Sequence, residues 1–141
     1  MNAAASNTRL RVLLIEDNPG DARLMREYLA DPAGATFQLE HRPTLAAGLE
    51  CLAQGGIDLV LLDLSLPDMT GIEVLRALRD AGGGHAHSLP VVLFSADDHQ
   101  AIRDELIQLG ATDFVSKNNP AGLLRVVSAH VRPTTSPRRT D

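Results

Sequence analysis

Tryptophan is absent from this sequence of 141 residues, aromatic residues make up only 3%, and Cys51 is the single cysteine. Lys and Arg number 13 against 18 Asp and Glu, so the formal net charge is −5. A surface that binds nucleic acid needs clustered positive charge and often stacking rings, so this composition argues against direct nucleic-acid binding. A lone cysteine cannot form an internal disulfide bond. We expect Cys51 to pack as a small hydrophobic residue of a helix over 45–54, in a reducing, cytoplasmic setting.

Long apolar runs are also missing. No run approaches the roughly 20 residues that cross a bilayer, and the first residues lack the apolar segment of a secretory signal. We therefore expect no membrane partner. The sequence is 44% hydrophobic, which at this length suffices for one domain with a sizeable core. Residues 132–141 are too polar and proline-rich to pack, and they are predicted to be a disordered tail or the start of a linker.

Short apolar runs alternate with amphipathic segments along the chain. The predicted strands cover residues 11–15, 37–41, 57–64, 90–95 and 113–116. Three of these runs are apolar almost throughout, as expected of parallel strands that are covered on both faces. Five strands in strict alternation with five helices predict an α/β fold with a doubly wound parallel sheet. Sheets of this kind bind ligands at the carboxyl ends of their strands.

Several residue pairs mark where the predicted helices begin and end. Asparagine followed by proline is typical of a helix start, Thr and Glu three residues apart form a capping box, and glycine suits the position after a helix. These signals lie at Asn18–Pro19, Thr70 with Glu73, Asn119–Pro120, and Gly110. They predict helices from residue 19, from residue 71, over 98–109 and over 121–131.

Five polar residues fall at the carboxyl ends of predicted strands. Glu16 and Asp17 follow the first strand, Asp63 closes the third, Ser95 ends the fourth and Lys117 follows the fifth. Three carboxylates within about 4 Å of one another would repel by roughly 4 kcal/mol per pair at an effective dielectric constant near 20. With one lysine, their net charge of −2 is what one divalent cation neutralises. Oxygen ligands without Cys or His favour Mg²⁺ over zinc.

Four motifs at these strand ends resemble one known family. They are "IEDN" around Asp17, "LLDLSLPDMTG" around Asp63, "LFSA" around Ser95 and "FVSK" ending at Lys117. In this order the motifs resemble those of the receiver domain of bacterial response regulators, the phosphoaccepting part of two-component signalling. The resemblance covers residues 9–131 and leaves 1–8 as a flexible N-terminus. It implies a (βα)5 sheet with the flavodoxin-like strand order 2-1-3-4-5.

The resemblance also implies roles for the acidic residues and for Ser65. Asp63 would be the nucleophile that takes a phosphoryl group from a phosphohistidine of a sensor histidine kinase or phosphotransfer protein. Asp17 and Asp63 would bind Mg²⁺ directly, and Glu16 would bind it through water. The backbone carbonyl of Ser65 would supply a further ligand, while the Ser65 side chain would lie near the phosphoryl group. Apart from this self-directed phosphoryl transfer and autodephosphorylation, no enzymatic activity is expected.

Three further residues would read the phosphoryl group and pass the signal on. The family pattern implies that Lys117 pairs with one phosphoryl oxygen, that Ser95 donates its hydroxyl to another, and that Phe114 is an aromatic switch. The movement of Ser95 and an inward turn of Phe114 would reshape the face of helix 4, strand 5 and helix 5. That face would contact a downstream effector protein or domain, and a homodimer is left open.

The sequence departs from the common family pattern in three places. Most members carry a proline directly after the lysine, whereas "SKNNP" delays it to Pro120. The dimer mode of the subfamilies with that proline is therefore not assumed. Ser95 replaces the commoner threonine and keeps its hydroxyl. A longer glycine-rich connection over 81–88 carries His85 and His87, which lack the further ligands that a metal site needs.

The same residues argue against three other functions. A magnesium-dependent phosphatase of the haloacid dehalogenase type would place a second acid two residues after the nucleophile, where Ser65 stands. A flavin- or nucleotide-binding domain would need a phosphate loop after strand 1, but acids occupy that place and would repel phosphate. A pseudo-receiver that only docks other proteins would not need the complete acidic set with Lys117.

Overall fold

The computed structural model describes residues 10–30, 37–81, 89–96 and 99–130. The strands within them are β1 (Leu10–Ile15), β2 (Phe37–Arg42), β3 (Leu59–Leu62), β4 (Val91–Ser95) and β5 (Asp113–Ser116). All neighbouring strands pair in parallel, in the order β2-β1-β3-β4-β5. The doubly wound sheet and its flavodoxin-like order, which the sequence and its resemblance predict, are confirmed.

Helices cover both faces of the sheet. They are α1 (Pro19–Leu29), α2 (Leu45–Ala53), α3 (Ile72–Ala81), α4 (Gln100–Gln108) and α5 (Leu123–His130). One apolar cluster joins the sheet to α1 and α5, and a second joins it to α2, α3 and α4. Along β1, Val12 and Leu14 face the first cluster, whereas Leu13 and Ile15 face the second. Burial on both faces explains why β1, β3 and β4 are almost wholly apolar.

The ends of α1 and α4 agree with the sequence signals. The Asn18 side chain accepts a hydrogen bond of 3.0 Å from the backbone N–H of Asp21, and Pro19 is the first residue of α1. Gly110 follows α4 with a φ of +112°, a conformation that side-chain-bearing residues rarely adopt. These two predictions are confirmed.

Two side chains cap the start of α2. The Thr44 hydroxyl accepts from the backbone N–H of Ala47 at 3.1 Å. The carboxylate of Asp68, which lies in the loop between β3 and α3, accepts from the backbone N–H groups of Leu45 and Ala46 at 3.0 Å each. These backbone hydrogen bonds lower the pKa of Asp68. The loop after β3 is thus attached to the neighbouring helix by its acidic side chain.

Other predicted boundaries are wrong in detail. Thr70 forms an isolated bridge with Ser65, and α3 begins at Ile72 behind Gly71, so the predicted capping box does not form. Asn119 makes no side-chain cap, because Pro120–Gly122 is a turn of 3-10 helix that precedes α5. The third strand is four residues long rather than the predicted eight. At Thr70, the bridge to Ser65 replaces the predicted cap.

Some predictions concern residues outside those that the structure describes. They are the flexible N-terminus over 1–8, the tail over 132–141, and most of the glycine-rich connection over 81–88 with its two histidines. Cys51 is buried at 3% exposure in α2, as predicted. In the described part of the chain, every helix is too short or too polar to cross a membrane.

A close contact between α2 and β1 predicts a loss of stability in Gly48→Ala. A methyl group at Gly48 would overlap the Ile15 side chain, with its carbon 2.8 Å from Cγ1, and Ile15 is fully buried. Overpacking typically costs about 1–3 kcal/mol, and the better helix propensity of alanine offsets at most about 1 kcal/mol of that. We expect a net fall in the free energy of unfolding, measured by urea denaturation.

A double-mutant cycle provides the control for this prediction. Ile15→Val removes Cδ1, the atom that the new methyl group would overlap most. The double variant should therefore lose less stability than the two single variants summed. If the Gly48→Ala protein is as stable as the wild type, the close contact between Gly48 and Ile15 is contradicted.

Candidate functional site

The sheet register brings the predicted polar residues to one edge. Ile15 pairs with Leu62 and Ser95 with Ser116. The ladder continues past the strand ends, because Asp63 N–H donates to the Ile15 carbonyl at 3.0 Å and Lys117 N–H donates to the Ser95 carbonyl at 2.9 Å. The residues that follow β1, β3 and β5 therefore share one crevice at the carboxyl edge of the sheet.

Lys117 lies between three carboxylates in this crevice. Its Nζ atom is 2.9 Å from Asp21 Oδ2, 3.0 Å from Glu16 Oε1 and 3.5 Å from Asp63 Oδ2. Burial opposes the charge on the lysine, but the hydrogen bond to Asp21 and the nearby carboxylates of Glu16 and Asp63 outweigh it and raise the pKa of Lys117. The Lys117 ammonium also lies 5.7 Å from the centre of the Phe94 ring. The lysine is thus held charged at the centre of the acidic residues.

Glu16 is the most deeply buried acid of the site, with no exposed surface. Burial raises its pKa to about 7, although Lys117 and the backbone N–H of Asn18 lower it. The Asn18 N–H donates to Glu16 Oε2 at 3.1 Å. Glu16 Oε1 has no hydrogen-bond partner among the described residues, so its 3.0 Å contact with Lys117 is an ionic contact outside hydrogen-bond geometry. This oxygen therefore keeps unused hydrogen-bonding capacity beside the Lys117 ammonium.

Asp63 lies at the end of the central strand and is only 2% exposed. Its Oδ1 accepts a hydrogen bond of 3.2 Å from the backbone N–H of Ser65, and its Oδ2 faces Lys117. One carboxylate oxygen from each of Glu16, Asp17 and Asp63 lies within 4.8 Å of the others, with Asp17 exposed. The structure therefore brings together the predicted acids and Lys117, with Ser65 beside them.

Two residues of the crevice were not predicted for it. Asp21 contacts Lys117 from the first turn of α1, where an acidic side chain also suits the positive end of the helix dipole. With Asp21, four carboxylates and one ammonium occupy the crevice, rather than three and one. His41, at the end of β2, lies with Nε2 2.7 Å from the Glu16 carbonyl oxygen. The only sequence signal for Asp21 was its place one turn into a helix that starts at the crevice.

The two predicted switch residues are both buried. Ser95 is 6% exposed at the end of β4, at the same sheet edge as Asp63. Phe114 is 4% exposed on β5, and the Arg103 guanidinium lies 5.0 Å from the centre of its ring. A groove of about 530 Å³ runs between α4, β5 and α5, and it is lined by Arg103, Asp113, Phe114, Asn119, Arg125 and Val126. Both predicted switch side chains are therefore already buried in this structure.

The loop after Lys117 is held by Asn118, where many family members have proline. The Asn118 side chain donates to the Ala96 carbonyl at 3.1 Å, and its backbone N–H donates to the Ser116 hydroxyl at 3.0 Å. Ala96 directly follows Ser95. The two loops that carry Ser95 and Lys117 are thus linked by a side-chain hydrogen bond as well as by the sheet.

Comparison with known proteins places the chain among signalling domains. A family model described as the response regulator receiver domain matches residues 12–128. The transcriptional regulatory protein YkoG of Bacillus subtilis, itself uncharacterized, is 36% identical over 75% of this chain and 43% of its own length. The KDP operon transcriptional regulatory protein KdpE of Escherichia coli is 34% identical over 89% of this chain and 54% of its own length. The chain thus spans about half the length of these relatives.

A solved structure agrees with this assignment. The BeF3-activated N-terminal receiver domain of RstA from Klebsiella pneumoniae matches with a TM-score of 0.71 and 29% identity. The match covers 86% of this chain and 98% of that one. Fold and sequence therefore point to the same family.

The raised pKa of Glu16 predicts how the metal-free protein responds to pH. A carboxyl with a pKa of about 7 in the folded state and about 4.5 when unfolded binds more protons when folded, so stability falls as pH rises through that window. In excess chelator, the free energy of unfolding should fall by at most about 1.4 kcal/mol per pH unit for this one group. Urea denaturation from pH 5 to pH 8 measures it.

Glu16→Gln is the matched control, because it keeps the shape of the side chain and removes the titration. The histidines His41, His99 and His130 are present in both proteins, so the difference between the two curves isolates Glu16. The wild type should lose stability relative to Glu16→Gln as pH rises. Parallel curves would contradict the raised pKa.

Proposed function

The chain belongs to the family of response regulator receiver domains, and on this premise we propose that Asp63 takes a phosphoryl group from a phosphohistidine with Mg²⁺. The observation that carries the proposal is the setting of Asp63. It is a buried carboxylate at the end of the central strand, with Lys117 on one oxygen and the Ser65 N–H on the other. The donor would be a sensor histidine kinase or a phosphotransfer protein.

The transfer itself needs alignment more than covalent assistance from the protein. An oxygen of Asp63 attacks the phosphorus atom, and an O–P bond forms as the N–P bond of the phosphohistidine breaks. The electron pair of that bond stays on the imidazole nitrogen, which takes up a proton. Lys117 pairs with a phosphoryl oxygen, and Ser95 donates its hydroxyl to another. Autodephosphorylation by water would return Asp63 to its free state.

The ligands at the crevice suit Mg²⁺. Glu16, Asp17 and Asp63 offer only carboxylate oxygens, which are hard ligands, and Glu16 Oε1 lacks a hydrogen-bond partner among the described residues. Asp17 and Asp63 would hold the ion directly, Glu16 through water, and Ser65 through its backbone carbonyl. When bound, Mg²⁺ supplies positive charge that neutralises the phosphoryl oxygens.

The output of the modification is a change of surface for a downstream effector. The phosphoryl group adds about −1.5 to −2 charges, and Ser95 would move toward it. Because Phe114 is already buried, the signal would pass through the contact between Phe114 and Arg103 at the groove of α4, β5 and α5. The effector is a separate protein or a further domain of a longer chain. Direct nucleic-acid binding by this domain is not proposed, and homodimer formation stays open.

The rival functions lack support from the site. Ser65 offers a hydroxyl where a phosphatase of the haloacid dehalogenase type would need its second acid. A pseudo-receiver would leave the arrangement of Glu16, Asp17, Asp63 and Lys117 without a purpose, and it stays only as the outcome if phosphorylation fails. A cytoplasmic location stays a prediction.

The proposed chemistry predicts phosphorylation at one residue. With acetyl phosphate and Mg²⁺, the intact mass of the protein should increase by one phosphoryl group. Asp63→Ala should abolish the increase, because it removes the nucleophile. Intact-mass spectrometry measures the labelled fraction over time.

Two controls accompany this experiment. Asp80→Asn changes an exposed acid of α3 and should leave labelling intact, whereas chelation of Mg²⁺ should suppress it. Unchanged labelling of Asp63→Ala, or equal labelling in the chelator, would refute the assignment.

The proposed switch predicts a response far from the crevice. Beryllium fluoride with Mg²⁺ should perturb the backbone signals of Asp63, Ser95 and Lys117 and also a contiguous patch on α4 and β5, measured by nuclear magnetic resonance. Since the patch is too distant to touch the ligand, its change requires a two-state element that the ligand biases. Ser95→Ala should shrink the distant response and leave phosphorylation of Asp63 largely intact.

Ser128→Ala provides the control, because Ser128 is an exposed serine of α5 outside the proposed path. It should keep the full response. If the wild-type response stays confined to the crevice, the switch role of Phe114 must be given up.

A further inference from the structure

Asp21 is the acidic residue of the crevice to which the proposed phosphorylation gives no role. Its Oδ2 lies 2.9 Å from Lys117 Nζ, which is shorter than the contact with Asp63 at 3.5 Å. The start of α1 holds Asp21 in place, because its backbone N–H is bound by the Asn18 side chain. Asp21 is therefore a fixed partner of the lysine rather than a chance surface contact.

The three carboxylates around Lys117 differ in how easily they can give up the ammonium. The side chains of Glu16 and Asp63 are 0% and 3% exposed, whereas that of Asp21 is 35% exposed. A buried carboxylate that loses its cation is left as an uncompensated charge, which is costly. An exposed one is hydrated instead, and its ion pair contributes little. Asp21 is thus the partner that Lys117 can leave.

The ammonium group of Lys117 has three N–H donors, and three carboxylates already surround it. A phosphoryl oxygen on Asp63 would need one of these donors. Since Asp21 is the partner that water can replace, the lysine would turn from Asp21 to the phosphoryl group. The negative charge of Asp21 would also repel the phosphoryl oxygens at this short range.

We propose that Asp21 competes with the phosphoryl group for Lys117 and so favours the unphosphorylated state. This inference rests on the proposed phosphorylation of Asp63. Asp21 acts through Lys117, so it is a positioning residue rather than a catalytic one. The strength of the ion pair between Asp21 and Lys117 would help to set how much phosphodonor is needed to switch the domain.

Titration with beryllium fluoride at saturating Mg²⁺ tests the competition. The backbone signal of Asp63 reports the concentration of beryllium fluoride at which half of the protein is bound. This concentration should be about fivefold lower in Asp21→Asn than in the wild type, which is the factor expected for a partly exposed ion pair. Asp21→Ala should show the same shift. Asp21→Glu keeps the charge and should restore an affinity near that of the wild type, which a merely structural role would not do.

Glu27→Gln separates the ion pair from a general effect of charge. Glu27 is exposed and lies on the same helix. Its substitution by Gln changes the net charge by the same amount as Asp21→Asn. It should leave the affinity unchanged. Equal or weaker binding by Asp21→Asn and Asp21→Ala would overturn the competition, as would a Glu27→Gln protein that binds as tightly as Asp21→Asn.

The outcomes also separate this inference from the proposed function. If the wild type neither binds beryllium fluoride with Mg²⁺ nor gains a phosphoryl group, the proposed function fails and the competition fails with it. If the wild type does both and Asp21→Asn shows no gain in affinity, only the competition is refuted.

Discussion

The crevice of this protein depends on the ammonium group of Lys117, which places one positive charge between three carboxylates. Without it, the buried side chains of Glu16 and Asp63 would face each other with only a backbone N–H on each. A buried pair that loses one partner is strongly destabilised, because the remaining charge is desolvated and unpaired. The lysine therefore stabilises a site whose ligands would otherwise repel, and it does so from the end of a different strand.

The main elements of the fold could be predicted from the sequence, because the decisive patterns are local or repeat along the chain. Strands covered on both faces must be apolar, and α1 carries both of its start signals at Asn18 and Pro19. The predictions failed where another arrangement within the loop replaces the expected cap. Thr70 bridges to Ser65 instead of capping α3, and Asn119 gives way to a 3-10 turn. A sequence pattern cannot show which of two hydrogen bonds the folded chain will prefer.

In the candidate site, some residues could be predicted from the sequence and others could not. The positions of Glu16, Asp17, Asp63 and Lys117 follow from strand ends, since parallel strands bring their carboxyl ends to one edge. Asp21 reaches the crevice only because α1 packs against the sheet beside α5, and the apolar core sets that position. The burial of Phe114 beside Arg103 likewise depends on how α4 lies on the sheet. Positions that depend on how helices pack on the sheet were therefore harder to predict than positions at strand ends.

The attachment of Asp68 to the start of α2 has a consequence for local unfolding. The segment after Asp63 cannot move away from the sheet edge without removing the acceptors of two amide hydrogens of that helix, those of Leu45 and Ala46. The loop and the first turn of α2 therefore open as one cooperative unit, and their amide protons would exchange with solvent together. Fraying of a helix that carries no residue of the crevice would thus report on the order of the loop that follows Asp63.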